Sequence, residues 1–227
     1  MKAPIEMPTL YVAAQAFELQ RVNYTAPTAD GRVGGVQAGF PLWSAIWTLG
    51  RMPEDNSDEW RGFISDQRGG IRRFIGRDLA RQYPKLYPDG FGDFGTFTGA
   101  AASWSQTISS DDDAQLTLNL GADAAGLILS KGDGIDFRYD ATEDAIAGIA
   151  WRAFARVTLG GTADGSGAVT VTVEPPIPDA VPSDAVAHLD QPGCVMTIVA
   201  DQTNVEAIDR LYSIRGGQIV GVQDLRS

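Results

Sequence analysis

From Val12 to Asn23 polar and apolar residues alternate around Phe17, Glu18, Leu19 and Gln20, the period-two signature of a half-buried strand. Thr28 to Gly35 (T-A-D-G-R-V-G-G) then reads as a turn. Phe40 to Leu49 predicts a second strand, with Trp43, Ala45, Trp47 and Leu49 on one face and Leu42 and Ile46 on the other. A strand apolar on both sides is expected to be central, covered by two layers. Between Ser57 and Arg68 the period changes: Trp60, Phe63, Ile64 and Gln67 share one helical face, Asn56 and Glu59 are placed for a capping box, and Gly69-Gly70 stop the helix. Ile71 to Ile75 reads as a strand, and residues 76–105, with Pro84, Pro88 and repeated glycines, as a long loop.

The second half is punctuated β throughout. Leu116, Leu118 and Leu120 alternate with polar residues, and K-G-D-G at 131–134 turns the chain into Ile135, Phe137 and Tyr139. Between Ile149 and Thr158, Trp151, Ala153, Ala155 and Val157 face one way and Arg152, Phe154 and Arg156 the other. A-D-G-S-G at 163–167 leads into Val169, Val171 and Val173, which Pro175 and Pro176 terminate. Val195 to Val199 and Arg210 to Val222 complete a set of about nine or ten strands. The pattern predicts a mostly β fold, a sandwich or barrel with one short amphipathic helix and a long loop insertion at about 76–105, built as one domain over residues 1–227.

Composition narrows the function. With 29 acids against 18 bases, the 227-residue chain carries a formal charge of -11 and would repel nucleic acid rather than hold it. The bases cluster: Arg61, Arg68, Arg72, Arg73, Arg77, Arg81 and Lys85 share a stretch with only Asp66 and Asp78 as acids. Such a run is either a solvated face or a contact surface for an acidic neighbour. One cysteine excludes an intrachain disulfide, and Cys194 with the single His188 is too few for a zinc site. The opening MKAPIEMPTL lacks the apolar core of a signal peptide, and no apolar run reaches the ~20 residues that span a bilayer, so folding in the cytoplasm without membrane insertion is expected.

Catalytic motifs are missing. No Walker A loop, dinucleotide-binding glycine fingerprint, zincin helix or nucleophile elbow occurs. His188, in a strand-like segment, is read as structural, Cys194 as a small buried side chain, and Asp111, Asp112 and Asp113 as a hydrated turn without the calcium-loop spacing. No enzyme, cofactor or metal is expected. Trp43, Trp47, Trp60 and Trp151 lie on periodic apolar faces and are read as core; Trp104 alone is placed to make an outward contact.

Four segments follow one another along the chain: N-Y-T-A-P with G-R-V-G-G; W-S-A-I-W-T-L through E-W-R-G-F-I into R-G-G-I-R-R-F-I-G-R-D; L-I-L-S-K-G-D-G-I-D-F leading to A-F-A-R-V and D-G-S-G-A-V-T-V-T-V-E-P-P-I; and P-G-C-V-M-T-I-V followed by I-D-R-L-Y-S-I-R-G-G-Q-I-V-G-V. In this order they resemble the distal tail proteins of long-tailed bacteriophages. The likeness is one of whole layout, and the stretches Asp140–Ala147 and 76–105 depart from it. It implies a β-barrel related to the tail tube protein and a virion component of the tail tip. Members form a ring, usually a hexamer, that joins the tube to the hub and leaves a channel through which DNA passes; a helix and a hairpin touch neighbouring subunits. On that reading Trp60 and Phe63 in the helix, Arg72, Arg73 and Arg77 in the basic stretch, and Trp104 are the candidate subunit contacts. The alternatives are a carbohydrate-binding β-sandwich using Trp104, Tyr83 and Tyr87, a tail tube or tail completion protein, and a glycosidase with dispersed carboxylates.

Overall fold

A computed structural model of the chain describes residues 4–27, 33–101, 103–111, 113–139, 151–205 and 216–225. The start of the Thr28–Gly35 turn, Asp112, the 140–147 insertion and most of the segment around Arg210 lie outside the described residues. In chain order the strands are β1 (Ile5–Glu6), β2 (Val12–Gln20), β3 (Asn23–Pro27), β4 (Val33–Gln37) and β5 (Leu42–Leu49); then, after helix α1 (Glu54–Asp66), β6 (Arg73–Arg77), β7 (Ala100–Ala101), β8 (Ser103–Ile108), β9 (Ala114–Asn119), β10 (Ile128–Leu129) and β11 (Gly134–Tyr139). The rest are β12 (Trp151–Leu159), β13 (Gly161–Thr162), β14 (Ala168–Glu174), β15 (Val186–His188), β16 (Gly193–Ile198), β17 (Asn204–Val205) and β18 (Gly217–Gln223).

Two main sheets make up the mostly β body, and neither closes into a barrel. Sheet I runs β1-β6-β16-β18-β5-β2, with β17 paired to β18; sheet II runs β7-β15-β11-β12-β14-β9-β8. Sheet I is antiparallel apart from the β1–β6 pair. The alternation along β5 has its expected effect on one side: Trp43, Ala45, Trp47 and Leu49 are buried. The other side is more open than the sequence suggested, with Ile46 38% exposed, so β5 is not covered by two layers there.

Helix α1 lies on the buried side of sheet I. Trp60 and Phe63 pack edge to face, Phe63 meets Phe74 of β6, and Phe74 meets Trp47 of β5. Each buried indole N–H is satisfied by a backbone carbonyl: Trp43 by Phe154 at 2.9 Å, Trp47 by Arg77 at 3.2 Å and Trp60 by Leu10 at 3.1 Å. The helix starts three residues earlier than the capping pattern predicts. It follows Pro53 with no side-chain cap, and the carboxylates of Glu54 and Asp55 in its first turn complement the helix dipole instead. It ends before Gly69 and Gly70, both left-handed, and the strand that follows begins at Arg73, leaving Ile71 exposed.

Sheet II is rolled around its own core, which includes Leu116, Leu118, Ile135, Phe137, Val169 and Val171. Strands β7 and β8 stand at opposite ends of its pairing order but are separated by one residue in the chain. Side chains span the remaining gap: the Trp104 indole donates to Ala185 O at 2.8 Å, while the Gln106 amide accepts from Ile177 N at 2.6 Å and donates to Ile177 O at 3.2 Å. The segment read as a long loop is packed. Tyr83, Tyr87, Phe91, Phe94 and Phe97 form an aromatic cluster with ring centroids 5.1–6.1 Å apart, and buried Phe91 joins it to the core of sheet II.

The two sheets meet along β12. Its Ala153, Ala155 and Val157 belong to the core of sheet II, whereas Phe154 belongs to that of sheet I, edge to face with Phe17 and Trp43 at 5.4 and 4.8 Å. Gly134 of β11 permits this approach, because a Cβ there would stand 2.7 Å from Phe154 Cε2. Phe154→Ala should therefore lower stability to chemical denaturant by about 3–5 kcal/mol. Ile46→Ala, on the half-open side, should cost under about 1 kcal/mol. Equal losses for the two would contradict Phe154 as the joint between the sheets.

Candidate functional site

Two features of the described residues go beyond ordinary packing: a charge network between the sheets and an unpartnered hairpin. The network follows from strand register. β11 and β12 pair Asp136 with Phe154 and Arg138 with Arg152, so alternation turns all four toward sheet I. Asp136 is fully buried. It accepts from Arg138 Nε at 3.2 Å, from Arg152 Nη1 at 3.4 Å and, across the seam, from the Gly193 amide of β16 at 3.2 Å.

From there the charges continue in two directions. Arg152 reaches Glu6 at 3.0 Å, and Glu6 pairs with Arg77 at 2.7 Å, whose guanidinium also donates to Gln191 Oε1. Arg138 donates to the Asp190 carbonyl at 2.6 Å, and the Asp190 carboxylate lies 2.9 Å from His188 Nδ1. Burial pushes Asp136 up to about 6, against the pull of Arg138, Arg152 and His188. Burial and the Asp136 charge likewise raise Cys194 well above the ordinary thiol range, so this fully buried sulfur stays protonated and inert. Two surface hollows, one lined by residues 79–85 with Pro88 and the other by residues 96–98, Ala100 and residues 120–123, include neither His188, Cys194 nor Asp136. Among the described residues no group of three or more His, Cys, Asp and Glu is placed to hold a metal ion, and no helix is long and apolar enough to cross a membrane.

The hairpin formed by β3 and β4 joins β2 to β5. Asn23–Pro27 pairs with Val33–Gln37, and the amide of Ala38 donates to Val22 O at its base. Tyr24 and Val36 are cross-strand partners, 68% and 70% exposed, and Val22 is exposed beside them. G-R-V-G-G, with one strong β-former among glycines, reads as a turn in the sequence, whereas in the structure Val33–Gln37 forms the hairpin's second strand.

The sequence-predicted contact residues divide. Trp60 and Phe63 are buried in the core of sheet I. Arg73 is buried too, paired with Asp224 at 2.9 Å, its guanidinium 4.4 Å above the Trp151 ring. Arg72 pairs with Asp66, and Arg77 belongs to the seam network. Of the basic face expected from Arg61 to Lys85, the three bases Arg72, Arg73 and Arg77 are thus paired within the chain. The partners Glu6 and Asp224 lie far away in sequence, which is why local charge counting missed them. Trp104 is half-buried, held by its Ala185 hydrogen bond and packed 4.7 Å from Phe137. Tyr83 and Tyr87 are likewise turned into the aromatic cluster, with the Tyr87 hydroxyl accepting from the Ile128 amide.

Comparison with known protein families finds none that matches the chain, and comparison with curated proteins finds no significant match.

The Arg73–Asp224 pair makes a direct test of this internal pairing. Asp224→Ala leaves a guanidinium buried alone and should cost about 3–5 kcal/mol in thermal or denaturant unfolding, whereas the double replacement Arg73→Met with Asp224→Leu should recover most of it. A single variant as stable as wild type would show that the pair is hydrated rather than buried.

Proposed function

We propose that this chain is a structural subunit of a bacteriophage tail tip, assembling into a ring that joins the tail tube to the host-contacting hub and leaves a channel for DNA. The reading starts from the ordered likeness of four segments to distal tail proteins. The observation that carries it furthest is the exposed hairpin. An isolated two-stranded hairpin is marginal in water, and contiguous apolar side chains such as Val22, Tyr24 and Val36 are normally covered. A neighbouring copy supplies that cover in a ring, through a head-to-tail contact that closes by rotation.

On this account sheet I, with α1 across one face, corresponds to the part related to tail tube proteins. The contact surface of α1 is its exposed acidic side, Glu54, Asp55, Asp58 and Glu59, because Trp60 and Phe63 face inward. A net charge of -11 suits a channel that lets DNA slide past, since unpaired Lys and Arg would hold phosphates. The network around Asp136 then keeps the subunit rigid and takes no part in chemistry.

The test is solution mass by light scattering. The wild-type protein should run as a multimer, with six copies favoured by the resemblance. The double variant Tyr24→Glu with Val36→Glu should shift toward monomer while its far-ultraviolet circular dichroism stays unchanged. A wild-type monomer at every concentration and in the presence of its tube and hub partners, or a hairpin variant that assembles normally, would refute the hairpin-mediated ring.

A further inference from the structure

We propose that the seam between the two sheets is a proton-operated latch, in which the Asp136 carboxylate, buried between Arg138 and Arg152 and bound to the Gly193 amide of the opposite sheet, makes parting of the sheets harder as pH falls from 7 to 5. The inference is independent of ring formation and rests on how the carboxylate is enclosed. Strand β11 supplies Arg138, β12 supplies Arg152, β15 supplies His188, and β16 supplies the Gly193 amide and the Cys194 thiol. Glu6 of β1 and Arg77 of β6 join through Arg152, and Asp190 joins through Arg138 and His188. Asp136 is wholly sealed from solvent while closed, and parting of the sheets at Gly193 admits water to it.

The sign follows from linkage. Closed, Asp136 takes up its proton near pH 6, because burial outweighs its arginine partners; open and hydrated, it returns toward the ordinary 3.8. The closed form therefore binds the proton more tightly, and opening must release it. The opening equilibrium falls as pH drops through 6 and levels off below 3.8; with these two values it is on the order of ten-fold less favourable at pH 5 than at pH 7. Most of the surrounding charges stay constant across this window. The three arginines remain cationic and Cys194 remains protonated. Asp190 remains ionised, since hydrogen bonding from His188 and the Arg138 charge overcome the opposing effect of burial and hold it below the usual range. His188 belongs to the same network through Asp190, so its contribution is separated from that of Asp136 by mutation.

The experiment is amide hydrogen exchange at Gly193 by NMR on the full chain at pH 5 and pH 7, corrected for the intrinsic exchange rate at each pH. Protection in the wild type and in His188→Gln should rise about ten-fold on acidification, and Asp136→Asn should show no such rise. Equal protection at both pH values in the wild type overturns the latch. So does a dependence that survives in Asp136→Asn or vanishes in His188→Gln. Should Asp136→Asn fail to fold, the carboxyl carbon shift of Asp136 in the wild type decides: a midpoint near 6 supports the latch, and one near 3.8 overturns it.

Discussion

One strand has no solvent face along its centre, and the rest of the molecule is arranged around it. β12 must satisfy two cores at once: its alanines and Val157 fill the rolled sheet II, and Phe154 fills the aromatic nest of Phe17 and Trp43 in sheet I. Small residues on one side and a ring between two arginines on the other are what such a position demands. Sheet II can roll tightly only if its lining stays small at β12, and sheet I can dock only if something large projects from the same strand. The close approach of Gly134 to Phe154 is part of the same constraint, as is Arg156, which reaches across to Phe17 O at 2.8 Å and lies 4.7 Å above the Trp43 ring.

Docking two sheets along strands that carry Asp136, Arg138, Arg152 and Arg156 also buries charge. An isolated buried ion is costly, so each needs a partner with further hydrogen bonds. The chain recruits these partners from distant segments: Glu6 from β1, Asp190 from beyond β15 and the Gly193 amide from β16. A hydrophobic seam of the same shape could be as stable. The ionic seam instead fixes register, because sliding β11 against β16 by one residue would take Asp136 away from the Gly193 amide.

Much of this fold was legible from the sequence. The alternation in β9 and β14, the inward face of β5 and the helical face of Trp60, Phe63, Ile64 and Gln67 are local signals of burial that the structure uses as such, whereas the second apolar face of β5 is partly open and Trp151 of β12, read as core, is only half-buried. Other features were hidden because they depend on long-range pairing. The start of α1 was set by Pro53 and its first-turn acids rather than by the Asn56–Glu59 pattern. The aromatic cluster of residues 83–97 has no periodicity, since its rings approach from turns. The basic stretch looked like a patch because Glu6 and Asp224, which neutralise Arg77 and Arg73, lie at opposite ends of the chain. The hairpin was half visible: N-Y-T-A-P suggested a strand end, but its glycine-rich partner read as a turn.

The tail-tip reading places this subunit as a rigid wedge in a ring, with the seam supplying rigidity and the hairpin the contact to the next copy. Electron microscopy of the purified protein, alone and mixed with the tube and hub proteins that the proposal calls for, examines that claim most directly. The account predicts closed rings with an open centre, each subunit's hairpin lying against its neighbour. Compact single particles under every condition, or open filaments without a channel, would contradict it.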